Sequence, residues 1–161
     1  MLFCHVILNV PGSEEPMKRD LIQVAVIDGQ GGGIGRSLVE RFRQSFSDIH
    51  IRALGTNAIA TANMLKGGAQ DGATGENALV FNIGKMHIIA GPVGILMPHG
   101  LLGELSPKMA EAIGMSDAVR ILIPSAQCNI RLAIGVNQTM TFYLDEAVRL
   151  FEAEILRLEG N

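Results

Sequence analysis

The chain has 161 residues, of which 48% are hydrophobic and 18% are charged, and its formal net charge is −3. A chain of this length forms one domain with a full hydrophobic core. The pI of about 5.8 excludes the strongly basic surface by which proteins bind nucleic acid or an anionic membrane, so we expect neither partner.

Hydropathy and cysteine content bear on assembly and location. The mean hydropathy is +0.29, and charged residues are fewer than the usual quarter of a globular chain. We therefore expect some apolar surface to be buried against another copy of the chain in a homo-oligomer. The two cysteines, Cys4 and Cys128, provide neither a disulfide framework nor a metal site, which favours a cytoplasmic location.

Residues 1–16 begin with an apolar stretch but have no basic n-region and no cleavage pattern, so they do not resemble a signal peptide. They are also too short to span a membrane. We expect a poorly ordered extension here, with either Met1 or Met17 as the native start, followed by a single domain over residues 17–161. Deletion of the extension should leave the melting temperature unchanged.

The most informative stretch is residues 21–46, LIQVAVIDGQGGGIGRSLVERFRQSF. The short β-branched run 24–27 predicts a strand buried on both faces of a parallel sheet. After Gly35, apolar residues recur at helical spacing, and charged residues fill the opposite face. The stretch therefore predicts a strand, a glycine-rich loop and a helix in succession.

Five of the seven residues from Gly29 to Gly35 lack a Cβ, so backbone N–H groups can approach a ligand closely. A helix that begins here adds its unpaired N–H groups and the positive end of its dipole, which favours an anion. The spacing Gly29-x-x-x-Gly33-x-Gly35 resembles the cofactor loop of short-chain dehydrogenases. That resemblance implies a nicotinamide dinucleotide, so NAD, NADP and other nucleotides are the candidate cofactors.

Two features depart from that family. Its members use a tyrosine with a lysine four residues later, whereas Tyr143, the one tyrosine here, is followed at that offset by Ala147. Asp28 places a carboxylate at the base of the loop, where it would repel a bare pyrophosphate. A bound ribose, a metal ion or a neutral ligand would relieve the repulsion; alternatively, Asp28 accepts hydrogen bonds from the loop's own N–H groups.

Residues 49–54 predict a second strand, and residues 58–66 predict a helix. The end of this strand carries neither the acid that binds a ribose nor the arginine that binds a 2′-phosphate; Arg52 lies within the strand, and we assign it to a solvated face. Thr56 and Asn57 either hydrogen-bond a ligand or cap the helix.

Residues 68–77 predict a second glycine-rich loop, which is either the other wall of a pocket, with Thr74, or an ordinary connection. Residues 78–82 fit a strand or a short helix. Residues 86–90 predict a buried strand whose end, Gly91-Pro92, should lie beside the first glycine loop.

The remaining elements contain few chemical candidates. In the broken stretch 94–105, His99 fits a structural donor better than a general base, and Glu104 fits a capping or solvated residue better than a pocket carboxylate. Cys128 fits a packed thiol better than a nucleophile because no base lies near it in sequence. A helix is predicted over 106–113. The runs 119–123 and 130–136 allow an antiparallel hairpin at one sheet edge, and an amphipathic helix is predicted over 142–158.

The runs VIDGQGGGIG, LGTNAIAT, GATGENA and GELSPKMAEAI, with the Cys128-Asn129 pair, together resemble an uncharacterised bacterial family of domains of unknown function (number thirty-eight forty-two). The resemblance covers residues 17–136 and implies a Rossmann-like domain, without an activity.

We therefore predict an α/β fold, a three-layer, mainly parallel Rossmann-like sheet that binds a nucleotide or other phosphate-bearing small molecule. The alternative is a non-catalytic homo-oligomeric or partner-binding module whose glycines serve packing alone. The candidate ligand-binding residues are Asp28, Gly29, Gln30, Gly31, Gly32, Gly33, Ile34, Gly35, Thr56, Asn57, Thr74, Gly91 and Pro92, with Gln30 donating or accepting a hydrogen bond. No metal ligand and no catalytic residue is assigned.

Overall fold

Strands and helices alternate along the chain in the computed structural model, which describes residues 16–125 and 130–160. The strands are β1 (Gln23–Asp28), β2 (His50–Gly55), β3 (Asp71–Thr74), β4 (Ile88–Pro92) and β5 (Val119–Ile123). The helices are α1 (Gly33–Ser45), α2 (Ala58–Lys66), α3 (Glu76–Ile83), α4 (Pro107–Met115) and α5 (Met140–Leu158), and short 3-10 turns cover Arg19–Leu21 and Val93–Leu96.

The five strands form one sheet in the order β3-β2-β1-β4-β5, and every pairing is parallel. This is the order of a Rossmann-like doubly wound sheet, so the predicted α/β class is confirmed. The chain moves from β1 to β2 and β3 on one side, then returns to β4 on the other. The carboxyl ends of β1 and β4 therefore border the crevice in which such folds bind ligands.

Successive side chains of β1 point to opposite faces of the sheet and divide the core into two layers. Val24 and Val26 join a cluster with α1 and α5, in which the rings of Phe42 and Phe151 stack with their centroids 4.0 Å apart. Ala25 and Ile27 join the cluster on the other face, which α3 and α4 cover. Five of the six residues of β1 are buried, as expected for a central strand with helices on both faces.

The predicted antiparallel hairpin is wrong. β5 pairs in parallel with β4, with Ile88 opposite Val119 and Pro92 opposite Ile123, because helix α4 returns the chain to the start of the sheet before β5 begins. Residues 130–136 form no strand and are mostly exposed.

The structure corrects the prediction for residues 68–77 and decides between the two alternatives for residues 78–82. Residues 68–77 are not a continuous loop, because Asp71–Thr74 pairs with β2 as the edge strand β3. Residues 78–82 belong to the helix α3 rather than to a strand. Among the described residues, no helix combines the length and apolar content that crossing a bilayer requires. Residues 1–15, Cys4 and Cys128 lie outside the described ranges.

Candidate functional site

The glycine loop, residues 29–35, connects β1 to α1 at the carboxyl edge of the sheet. Its residues differ in how much they are crowded. A Cβ at Gly29 would lie 2.6 Å from the Thr56 hydroxyl and 2.7 Å from a Glu104 carboxylate oxygen, and a Cβ at Gly35 would lie 2.8 Å from the Cβ of Asp28. Gly32 has φ +67° and faces the backbone of Ala60 at 2.6 Å. Packing and backbone conformation therefore explain why these three positions are glycine.

The other two glycines of the loop have no such explanation. A Cβ at Gly31 or Gly33 would meet nothing within 4 Å, and neither glycine has a positive φ. Both are exposed, whereas Gly29, Gly32 and Gly35 are buried. The absence of a side chain at Gly31 and Gly33 leaves space in front of the loop that residues 16–125 and 130–160 do not fill.

The backbone polar groups of the loop are unequally satisfied. The carbonyl of Gly29 accepts from the Gly32 N–H at 2.9 Å. The side-chain amides of Asn57 and Asn63 donate to the carbonyls of Gln30 and Gly31 at 3.0 and 2.8 Å. Within residues 16–125 and 130–160, by contrast, the N–H groups of Gly31 and Gly33 have no acceptor. The loop therefore offers donors rather than acceptors at its open surface, next to the positive end of the α1 dipole.

Asp28 organises the loop from below. One of its carboxylate oxygens accepts from the Gly29 N–H at 2.8 Å and the other accepts from the Gly35 N–H at 2.7 Å, so the side chain joins the two ends of the loop. Only 4% of Asp28 is exposed. Burial raises the pKa of this carboxyl above its ordinary value, against the opposing effect of these hydrogen bonds. Of the two roles that the sequence left open, the geometry matches hydrogen bonding to the loop's own N–H groups.

Glu104 brings a second carboxylate to the loop from the segment that follows β4. A single oxygen, Oε2, accepts from the Gln30 N–H at 2.8 Å, from the Thr56 hydroxyl at 2.5 Å and from the Asn57 amide at 2.9 Å. Partial burial opposes ionisation of Glu104, but the three hydrogen bonds outweigh it and hold the pKa of this carboxyl below its ordinary value. We call Glu104, Thr56 and Asn57 the β2-side cluster.

An unusual backbone conformation places Glu104 in this cluster. His99, Leu101 and Leu102 all have φ between 54° and 61°, the left-handed region that costs a residue with a Cβ about 1–2 kcal/mol. The turn is held by hydrogen bonds from the His99 N–H to the Leu105 carbonyl at 2.8 Å and from the Gly103 N–H to the His99 carbonyl at 3.1 Å. Buried Leu101 anchors it against the core.

A cavity of about 410 Å³ opens on the other side of the loop, towards β4. We call it the β4-side cavity. Its size is near the lower end of the range for small-molecule sites, about 300–1,000 Å³. Among the described residues no lysine or arginine lines it, and its one acidic lining residue is Asp28. The lining consists of Asp28, Gly29, Gln30, Gly31, Gly32, Gly33, Ile34, Pro92, Leu101, Ser125 and Met140.

The structure thus brings together eight of the predicted site residues, 28–34 and Pro92, around one cavity. Gly91 precedes this lining in β4, and Gly35 lies beneath the loop in contact with Asp28. Thr74 lies in β3, two strands from β1, and its hydroxyl forms a 2.7 Å hydrogen bond with the hydroxyl of Thr61. Asn57 caps α2 by accepting from the Ala60 N–H at 2.9 Å.

Two polar side chains outside this site, those of Arg52 and His87, have structural partners. Arg52 does not lie on a solvated face, as the sequence suggested; its guanidinium makes two 2.7 Å hydrogen bonds with Asp71 and a third, at 2.9 Å, with Asn82. His87 accepts from the Gln23 N–H at 2.9 Å, and His99 is exposed. No group of three His, Cys, Asp or Glu side chains in the described ranges is arranged to hold a metal ion.

Sequence reasoning underestimated Glu104 and passed over Asn63. Glu104 lies 74 residues from Gln30, and no pattern in the sequence connects the two. The interaction depends on the left-handed turn, and the leucines at 101 and 102 give no indication of such a conformation.

Comparison with known proteins identifies a family. The model of a family described as a domain of unknown function (DUF3842) matches residues 23–156, most of the chain. The chain belongs to the DUF3842 family. The resemblance inferred from the sequence motifs is confirmed, and the match extends beyond residue 136 to include most of α5. No curated protein matches this DUF3842 domain at a significant level.

Proposed function

We propose that this DUF3842 domain binds a nucleotide or another phosphate-bearing small molecule at the glycine loop, in the β4-side cavity. The proposal depends on the open surroundings and the N–H groups of Gly31 and Gly33. Their N–H groups have no acceptor among the described residues, and no packing contact accounts for their lack of a side chain. Both line a cavity at the point in a doubly wound sheet where ligands bind.

The hydrogen bonding of the loop indicates that the ligand is negatively charged. With the carbonyls of Gly29, Gln30 and Gly31 already accepting hydrogen bonds, the open surface presents N–H groups at the start of a 13-residue helix. Phosphate oxygens are the acceptors that such a helix N-terminus favours. Asp28 opposes an anion less than a free carboxylate would, because both its oxygens already accept N–H groups of the loop.

A ligand panel tests the proposal. Thermal unfolding is followed with NAD, NADP, ATP, S-adenosylmethionine, a flavin nucleotide and inorganic phosphate, each with and without magnesium. At least one should raise the melting temperature, because a ligand that binds only the folded state stabilises it. Gly33→Val places a side chain in the open space and should abolish the rise.

Gly84→Val is the matched control, since a Cβ at Gly84 also meets nothing within 4 Å and Gly84 caps the end of α3. It should leave the rise intact. No rise with any compound would contradict the proposal.

The second candidate is self-association, which a different surface favours. The edge strand β5, the segment before α5 and α5 itself expose apolar side chains, and Val136 is 81% exposed. We propose that a second copy of the chain covers this surface. Sedimentation should show a dimer that Val136→Asp weakens; a monomer at every concentration would contradict it. The exposed apolar residues that line one groove on this surface are Ile134, Val136, Phe142 and Leu150.

A further inference from the structure

The two sides of the glycine loop limit what the proposed site can hold. In a dinucleotide-binding fold, the adenosine ribose lies over the first loop glycine and is hydrogen-bonded from the end of β2, while the phosphate group lies at the start of the helix. In this chain those two positions correspond to Gly29 with Thr56 and Asn57, and to Gly31 with Gly33.

The first position is filled by the protein. Glu104 Oε2 lies 2.7 Å from where a Cβ of Gly29 would be, so the carboxylate lies directly over the first glycine. The carboxylate accepts hydrogen bonds from the Gln30 N–H and from the Thr56 hydroxyl. The side chain of Asn57 already has partners within the protein. Its NH2 group donates to Glu104 and to the Gln30 carbonyl, and its oxygen accepts from the Ala60 N–H.

The second position is open. Gly31, Gly33 and Ile34 line the β4-side cavity, and Glu104, Thr56 and Asn57 are absent from its lining. Gly29 also lines this cavity, but the β2-side cluster does not, so the open space includes the phosphate position and extends towards β4 rather than across the loop towards β2. A volume of about 410 Å³ suits a compact ligand.

We infer that the site takes a compact phosphate-bearing molecule, such as a phosphomonoester, and excludes adenosine dinucleotides, because the Glu104 side chain occupies the ribose position of the crevice. This inference rests on the proposed function and narrows its ligand class. A carboxylate over Gly29 also repels an anion placed on the β2 side, which directs the phosphate group to Gly31 and Gly33. Glu104 is a specificity-determining residue in this account.

The test is isothermal titration calorimetry of the full chain with ribose 5-phosphate, AMP, ADP-ribose and NAD. Ribose 5-phosphate and AMP have one sugar, which can lie towards β4, whereas NAD and ADP-ribose have a sugar on each side of the pyrophosphate. The wild type should therefore bind ribose 5-phosphate or AMP at least about tenfold more tightly than NAD or ADP-ribose. Glu104→Ala empties the ribose position and should reduce this ratio. Glu104→Gln keeps the volume and removes the charge, so it should reduce the ratio less than Glu104→Ala does.

The outcomes separate the inference from the proposed function. If NAD or ADP-ribose binds the wild type as tightly as the phosphomonoesters and Gly33→Val abolishes that binding, the inference is overturned while the proposed function stands. An unchanged ratio in Glu104→Ala also overturns it. If none of the four compounds binds and no member of the thermal-unfolding panel raises the melting temperature, the proposed function fails, and the inference fails with it. Should Glu104→Ala not fold, the wild-type ratio still decides, because a ratio near one overturns the inference.

Discussion

The two sides of the glycine loop have opposite chemistry, although they are built from adjacent residues. In the β2-side cluster, the Thr56 hydroxyl and the Asn57 amide both donate to one oxygen of the Glu104 carboxylate, and the same oxygen accepts from the Gln30 N–H. In the β4-side cavity, two N–H groups have no acceptor among the described residues, and two glycines have no packing role. The comparison indicates that glycine-rich sequence alone does not identify a site; what identifies it is the subset of glycines that folding does not require.

The largest stability effect should come from a glycine that folding does require. Gly32→Ala places a methyl group 2.6 Å from the backbone of Ala60 at a φ of +67°, and we expect it to lower the free energy of unfolding by about 3 kcal/mol. Urea unfolding measures this. Gly114→Ala, which meets nothing within 4 Å in α4, is the control and should not destabilise. Equal stability of Gly32→Ala and the wild type would remove the distinction between the two sets of glycines.

A smaller loss should follow from disrupting the base of the loop. Asp28→Asn keeps one acceptor but turns an amide N–H towards the N–H of Gly29 or Gly35, so one of the two hydrogen bonds is lost in a buried position. We expect a loss of about 2 kcal/mol in the free energy of unfolding at pH 7. The substitution also removes the energetic cost of a buried carboxylate, whose raised pKa makes the native state bind its proton more readily than the unfolded chain. If Asp28→Asn were more stable than the wild type, the prediction would be wrong, and the cost of burying the carboxylate would exceed the stabilisation from the lost hydrogen bond.

In the β2-side cluster, Glu104→Gln should lower the free energy of unfolding by about 1 kcal/mol, and the loss should depend on pH. The pKa of Glu104 is lowered by folding, so the carboxylate stabilises the native state above the unfolded pKa, about 4.3. That contribution is lost as the pH falls through the lower folded pKa. The difference in unfolding free energy between wild type and Glu104→Gln should therefore be constant above about pH 5.5 and shrink in more acidic solution. A difference independent of pH would mean that Glu104 is not held as described.

The smallest effect should come from Gly33→Ala, and it should be a gain. Alanine at this position meets no atoms and restricts the unfolded chain, so we expect the free energy of unfolding to rise by about 0.5 kcal/mol without ligand. Thermal or urea unfolding in phosphate-free buffer measures the change. A loss instead would indicate that the space in front of Gly33 is occupied in the folded protein, and the β4-side cavity would then not be available to a ligand.

Much of the architecture followed from local sequence patterns. The helix predicted over 58–66 has the bounds of α2 (Ala58–Lys66), because Asn57 caps its start and glycines follow its end. Strand β1 was evident from its β-branched residues. β3 was not, since DGAT is four residues long, contains a glycine and lies at an edge where only one neighbour pairs with it.

The site was predictable only in part, because its decisive contacts join distant segments. The loop and its position at the sheet edge follow from residues 24–35. Which glycines are crowded depends on Ala60, Met64 and Glu104, which reach the loop through the tertiary structure. Arg52 was misassigned for the same reason: its partner Asp71 lies in the strand that the sequence did not reveal.

The central claim is that the N–H groups of Gly31 and Gly33 receive a phosphate group. Titration of nitrogen-15-labelled protein with inorganic phosphate and AMP, followed by the amide resonances, tests it directly. We expect saturable shifts at Gly31, Gly33 and Ile34, with Gly84 and Gly114 unaffected and with no such shifts in Gly33→Val. Resonances of the loop that do not move, or shifts confined to exposed lysines and arginines, would contradict it.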